Sequence, residues 1–206
     1  SANTSGRPSP TTAQHVWQDM NGRIEMILDG GPVGIGVEST IVDVSGEVPT
    51  LLRPGAVTME MLEKTVGHVE IDPAIQGPPT ADFHPKAPGM KYRHYAPHAQ
   101  MTLVEGEAEA VANKINELVK EGLEQNLRVG VICTDESRSS YPDGLVRSVG
   151  ERAKEETIAH NLFAVLREFD DLDVDVIYSE SFSKDHLGQA IMNRLTKAAG
   201  YHILKV

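Results

Sequence analysis

Residues 127–134 read LRVGVICT, a near-continuous apolar run. A strand wet on one face would alternate, so this run suits a parallel strand covered on both faces. Upstream, residues 101–104 make a short strand. A helix follows from about Glu107, with Val111, Ile115, Leu118 and Val119 at i, i+4, i+7 and i+8. Downstream, Ile158, Leu162, Val165, Leu166 and Phe169 form another helical stripe, and residues 174–178 another strand. A last helix runs from about Asp185 through Leu187, Ile191 and Leu195 and stops at Gly200, a good C-terminal cap. Strand and helix alternate throughout, so residues 101–206 are expected to form a small doubly wound sheet with right-handed crossovers.

Before this unit the composition changes. Six of the twelve prolines lie between Asp72 and Pro97, where no regular helix or strand is expected to persist. The stretch ends PGMKYRHYAP, too aromatic and charged for a passive spacer, so residues 73–100 are read as an ordered linker. Residues 1–72 read as a helix over 10–20, with Ser9 as N-cap and Pro10 at its first position. Strands follow over 24–28, 35–44 and 50–52, then a helix over 58–66 and a strand over 68–71. So short a set of elements buries only a thin core, as expected of the trailing part of a larger mixed-sheet domain.

The 206 residues carry 30 acidic and 19 basic side chains, a net charge of −11, which argues against a protein coated along its surface by nucleic acid. No apolar run approaches the roughly 18 residues of a membrane helix, so no membrane partner is expected. The single cysteine, Cys133, sits inside the apolar run and reads as a buried structural thiol. Its solitude and the lack of a leader pattern suggest a reducing, cytoplasmic setting.

Four features could carry chemistry. Gly30, Gly31, Gly34 and Gly36 precede ESTIVD; the spacing fits neither a dinucleotide fingerprint nor a P-loop, and reads as a hairpin connection. Ser39 and Thr40 would face opposite sides of a strand, Ser39 as an orienting hydroxyl and not a nucleophile. Arg53, at a strand end before Pro54-Gly55, suits either a bidentate phosphate grip or a surface ion pair. Residues 83–104 lack acidic side chains but hold Lys86, Lys91, Arg93 and three histidines, with Tyr92, His94 and Tyr95 offering stacking faces for a nucleotide lid. Pro97 interrupts the His94/His98 spacing, and no metal site is assigned. Met59, Met61 and Leu62 read as core or interface filler.

SANTSGRPSPTT, GVESTIVD, LLRPGAVT and APGMKYRHYAP occur in that order, and together resemble the two-domain form of the threonylcarbamoyl-AMP synthase family. The resemblance implies a partial YrdC-like twisted mixed sheet (1–72), a linker (73–100) and a Rossmann-like C-terminal domain (101–206). It implies synthesis of threonylcarbamoyl-AMP from L-threonine, bicarbonate and ATP with Mg²⁺, for threonylcarbamoylation of a tRNA adenosine. Further partners would be tRNA or the downstream threonylcarbamoyl transferase. Residue by residue, Ser1 and Asn3 match the SxN half of a split KxR…SxN phosphate signature, and Ser9 and Arg53 match ATP contacts. Ser39 matches a threonine contact, and Tyr92 with His94 matches the linker that closes over the nucleotide. No side chain is expected to act as a nucleophile. The KxR half has no counterpart in these residues, so the chain taken alone is expected to be inactive. The alternative reading is a non-catalytic module that binds nucleotide or RNA.

Overall fold

The computed structural model describes residues 2–77, 84–88, 90 and 94–206, and their strands form two sheets. In the first unit, helix α1 (Ala13–Met20) is capped by Thr12, whose hydroxyl accepts from the His15 N–H. The expected cap, Ser9, lies outside the helix and is buried, with its hydroxyl turned to Glu38. Strand β1 (Ile41–Asp43) pairs antiparallel with β2 (Thr50–Arg53), and β2 pairs parallel with β3 (Glu70–Ile71).

Two expected strands fail here. Residues 24–28 form no strand, and Met26 and Leu28 stand 74% and 87% exposed, so no facing layer holds them extended. The run 35–44 shrinks to β1, because Gly36 turns the chain at φ +85°. The glycine stretch is therefore an irregular loop and not a hairpin. Helix α2 (Met59–Val66), capped by Thr58, buries none of its residues, so Met61 is surface and not core. The proline-rich stretch does admit one turn of helix, α3 (Pro73–Gln76), since Pro73 occupies the first position and Asp72 caps the Ala74 N–H. Leu52, Ala74 and Met90 make the small core of this unit.

The second unit contains β4 (Gln100–Glu105), α4 (Ala108–Glu124), β5 (Val129–Cys133), β6 (Leu145–Ser148), α5 (Glu155–Asp171), β7 (Val176–Glu180), α6 (His186–Ala198) and β8 (Ile203–Lys205). It follows the expected alternation except between β5 and β6, which are joined by a loop carrying one 3₁₀ turn (Arg138–Ser140) and no α-helix. All the pairings are parallel, in the order β6-β5-β7-β4-β8. Successive residues of a strand serve opposite faces. Leu103, Ile132 and Ile177 pack with α5 and α6, whereas Val104, Val131 and Cys133 pack with α4. All five residues of β5 are buried, which explains its unbroken apolar character. The edge strands β6 and β8 escape the sequence reading because neither contains a buried residue.

The faces of α5 and α6 also meet the first unit. Tyr95 of the linker is 1% exposed, with its ring centroid 5.3 Å from that of Phe163 on α5. Two guanidiniums, Arg167 on α5 and Arg194 on α6, are buried where the units meet.

Candidate functional site

Arg53 ends β2 and points toward the segment that precedes β1. Its Nε donates to the Ser39 carbonyl at 2.9 Å and one Nη to the Pro88 carbonyl at 3.2 Å; the other Nη lies 3.5 Å from Ser39 Oγ. It is 8% exposed, so the surface-ion-pair alternative fails for burial alone. A guanidinium has five N–H donors, and these contacts do not exhaust them. Arg53 thus joins the serine segment to the linker and keeps capacity for a ligand.

Two glycines permit this geometry. An added Cβ at Gly55 would stand 2.4 Å from the Thr40 nitrogen and 2.8 Å from the Glu38 carbonyl oxygen. At Gly36 it would fall 2.3 Å from the Ala159 carbonyl oxygen and 2.5 Å from the His160 Cα, both on α5. The glycine loop is therefore shaped by its packing on the second unit. His160 Nδ1 reinforces it, 3.1 Å from the Gly34 carbonyl.

These elements enclose a cavity of about 680 Å³ lined by Ser9, Glu38, Ser39, Arg53, Pro88 and the glycine loop. An adjoining cavity of about 180 Å³ shares Glu38, Arg53 and Pro88 and adds Asn3, His94 and Tyr95. Five expected site residues (Asn3, Ser9, Ser39, Arg53 and His94) thus converge from segments far apart in sequence. Ser1 and Tyr92 lie outside the described residues. Asn3 uses its amide N–H groups on the carbonyls of Thr4 and Arg7, at 3.0 and 3.3 Å, which fixes the turn it belongs to. His94 meets the Tyr95 ring edge-on, with centroids 4.2 Å apart.

Three further residues shape the site, and the local sequence reading did not single them out. Glu38 accepts from Ser9 Oγ on one carboxylate oxygen and from Arg194 Nε at 2.9 Å on the other. Arg194 is fully buried, and so, one turn later, is Lys197. Burial, with Arg194 and Arg53 nearby, lowers the Lys197 ammonium to about 8. Burial, with Glu38 beside it, raises the Tyr95 phenol, which stays neutral. Arg194 lies between Ile191 and Leu195 on the apolar stripe of α6; a charge on a buried stripe was the available signal. In a chain of net charge −11, Arg53, Arg194 and Lys197 gather around a single carboxylate. Such a locus favours an anion.

Residues 57–200 match the family model for the threonylcarbamoyl-AMP synthase C-terminal domain, and residues 1–55 match a model described as telomere recombination. The chain is 48% identical over 206 residues to threonylcarbamoyl-AMP synthase of Pyrococcus abyssi, covering all of this chain and 58% of that protein. To the Bacillus subtilis enzyme of the same name it is 46% identical over 205 residues, covering 100% of this chain and 57% of that one. The crystal structure of P. abyssi Sua5 complexed with L-threonine aligns with a TM-score of 0.90 at 47% identity, covering 100% of this chain and 58% of that chain. The present chain therefore spans less than two thirds of the length of these relatives. Sequence strings, sheet topology and whole-chain similarity agree: the chain belongs to the threonylcarbamoyl-AMP synthase family.

Proposed function

We propose that the site around Arg53 contributes to making threonylcarbamoyl-AMP from L-threonine, bicarbonate and MgATP, as the activated donor for a tRNA adenosine. The observation that carries this reading is the grouping of hydroxyls, an amide and buried cations about two adjoining cavities that share Arg53. Adenylation is an in-line attack of a carbamate oxygen on the α-phosphate, with pyrophosphate leaving. Positioning and charge neutralisation supply most of its rate, and no protein nucleophile is needed.

In this reading Arg53, Ser9 and the Ser1–Asn3 segment face the phosphates, Ser39 orients threonine, and the linker with Tyr92 and His94 covers the nucleotide. Water exclusion by that cover protects the labile mixed anhydride. Mg²⁺ enters as part of the nucleotide substrate, held mainly by phosphate oxygens. Among the described residues there is no group of three or more His, Cys, Asp or Glu side chains that could hold a metal ion. The second unit is Rossmann-like, and a cytoplasmic setting suits the reaction. Among the described residues no helix is long and apolar enough to cross a membrane.

The test uses a protein of the relatives' full length that contains these residues. Pyrophosphate release should require threonine and bicarbonate together, and calorimetry should show ATP and threonine strengthening each other's binding. ATP binding indifferent to threonine would instead favour a nucleotide-binding module.

A further inference from the structure

Arg194 reaches out of α6 into the first unit. Its Nε donates to Glu38 Oε2 at 2.9 Å, one Nη to the Glu38 carbonyl at 3.0 Å and the other to the Pro54 carbonyl. Its guanidinium carbon lies 5.7 Å from the centre of the Tyr95 ring. One side chain thus ties together three segments that line the cavities: the irregular segment at Glu38 that precedes β1, the Arg53-Pro54-Gly55 turn and the linker beside His94. The remaining Glu38 oxygen accepts from Ser9 Oγ. An unbroken chain, Arg194–Glu38–Ser9, therefore runs from the second unit to the cavity wall.

The electrostatics give this chain a purpose beyond packing. Glu38 lines both cavities, and an unneutralised carboxylate there would repel a polyphosphate. Arg194 cancels that charge from behind, which leaves Arg53 as a net positive group toward the ligand. The planar fork serves Glu38 Oε2, the Glu38 carbonyl and the Pro54 carbonyl from three separate nitrogens, a spread that the single nitrogen of an ammonium does not reproduce.

We infer that Arg194 is a positioning residue for adenylate formation, by which the C-terminal unit neutralises Glu38 and sets Ser9 and Arg53 for the nucleotide phosphates. The inference rests on the function proposed above. It assigns the C-terminal unit a part in the active site and requires no separate ligand of its own.

The experiment measures ATP and threonine KM, kcat and Tm in the full-length protein for Arg194→Met, Arg194→Lys, Glu38→Gln and the double variant Arg194→Met/Glu38→Gln. Arg194→Met should raise the ATP KM by about 30-fold or more, the scale expected when a buried hydrogen-bonded charge loses its partner. The double variant removes the stranded carboxylate and should recover at least tenfold of that loss, even if its Tm stays low. Arg194→Lys keeps the charge without the fork and should fall between wild type and Arg194→Met. Should Arg194→Met fail to fold, Arg194→Lys carries the decision: a wild-type ATP KM in that variant overturns the inference. A double variant no better than Arg194→Met, or losses that only track Tm, also overturns it. Absence of threonine- and bicarbonate-dependent pyrophosphate release in the wild type would instead remove the underlying function and is distinguishable at once.

Discussion

Lys197 lies 3% exposed among other cations, and its ammonium is lowered to about 8 from the 10.5 of a lysine in water. Between those values the unfolded chain binds a proton that the folded chain does not, so this residue makes stability rise with pH across that window. Below about pH 8 the cost is fully present; above about 10.5 it is gone. Relative to Lys197→Met, the wild type should gain on the order of 3 kcal/mol between pH 8 and 10.5, read by urea denaturation at each pH. A constant difference across that range would show that the ammonium is solvated. Cys133 offers a second test. Burial and the nearby Glu180 carboxylate push its thiol up to about 12, and it is 0% exposed. The thiolate is the reactive form, so a thiol-specific disulfide reagent at pH 8 should leave the native protein unlabelled and react fully in denaturant. Arg53 supports the Ser39 carbonyl, so Arg53→Ala should weaken ATP binding by roughly 1.5–3 kcal/mol and weaken threonine binding as well. Loss confined to ATP in calorimetry would show that Ser39 is held without Arg53.

At the scale of elements, the tightest constraint near the site is Gly55. Thr40, Glu38 and Ser39 backbone atoms crowd the place where a Cβ would go, and backbone cannot swing aside as a long side chain can. Gly55→Ala should therefore cost about 1–3 kcal/mol of stability, as overpacking does, and should lower threonine affinity through the displaced Ser39 segment. An unchanged Tm with unchanged threonine binding would show that the 38–40 segment yields freely. The same segment shows where sequence reading stops. Buried parallel strands such as β5 are legible because both faces demand apolar residues. The stretch 35–44 is rich in β-branched residues, but Gly36 packs against a helix some 120 residues later where a Cβ would clash, and no local pattern encodes that contact. Ser9 obeys the local rules for an N-cap and is claimed instead by Glu38, a partner distant in sequence. The candidate site residues are named through resemblance to a family, and the structure brings Asn3, Ser9, Ser39, Arg53 and His94 together; the buried charges behind them, Glu38 and Arg194, required the packed structure.

At the scale of the whole molecule, two carboxylates of the first unit are gripped by two buried guanidiniums of the second. Arg194 holds Glu38, and Arg167 holds Asp19 by a two-pronged contact at 3.1 and 2.7 Å while also donating to the Pro8 carbonyl at 2.7 Å. Asp19 further accepts from the Thr4 N–H at 3.1 Å and Arg7 Nη1 at 2.9 Å. Burial pushes its carboxyl upward, but the Arg167 hydrogen bonds, the Thr4 N–H and the charges of Arg167 and Arg7 outweigh it, and the net direction is down. A carboxyl depressed in the folded state contributes stability above its unfolded value near 3.8 and loses it as pH falls through the folded one. The join between the units should thus weaken in acid before the five-stranded sheet does, because β4, β5 and β7 draw on apolar packing. Arg167→Met tests the same join at neutral pH. It leaves the buried Asp19 carboxylate with only Arg7 and the Thr4 N–H, so the cost should fall below the roughly 3–5 kcal/mol of a fully unpaired buried charge, and Arg167→Met/Asp19→Leu, which removes both charges, should recover much of it. Amide hydrogen exchange localises the effect: protection should fall in α1 and the 30–40 segment of Arg167→Met while β5 and α5 keep theirs. Equal loss of protection in α1 and β5 would mean that the units unfold as one cooperative body, with the Asp19 pair no more than one contact within it. Selective loss in α1 would place the weakest link of the molecule at the seam that carries the site, so that whatever loosens the seam also disorders Ser9, Glu38 and Arg53.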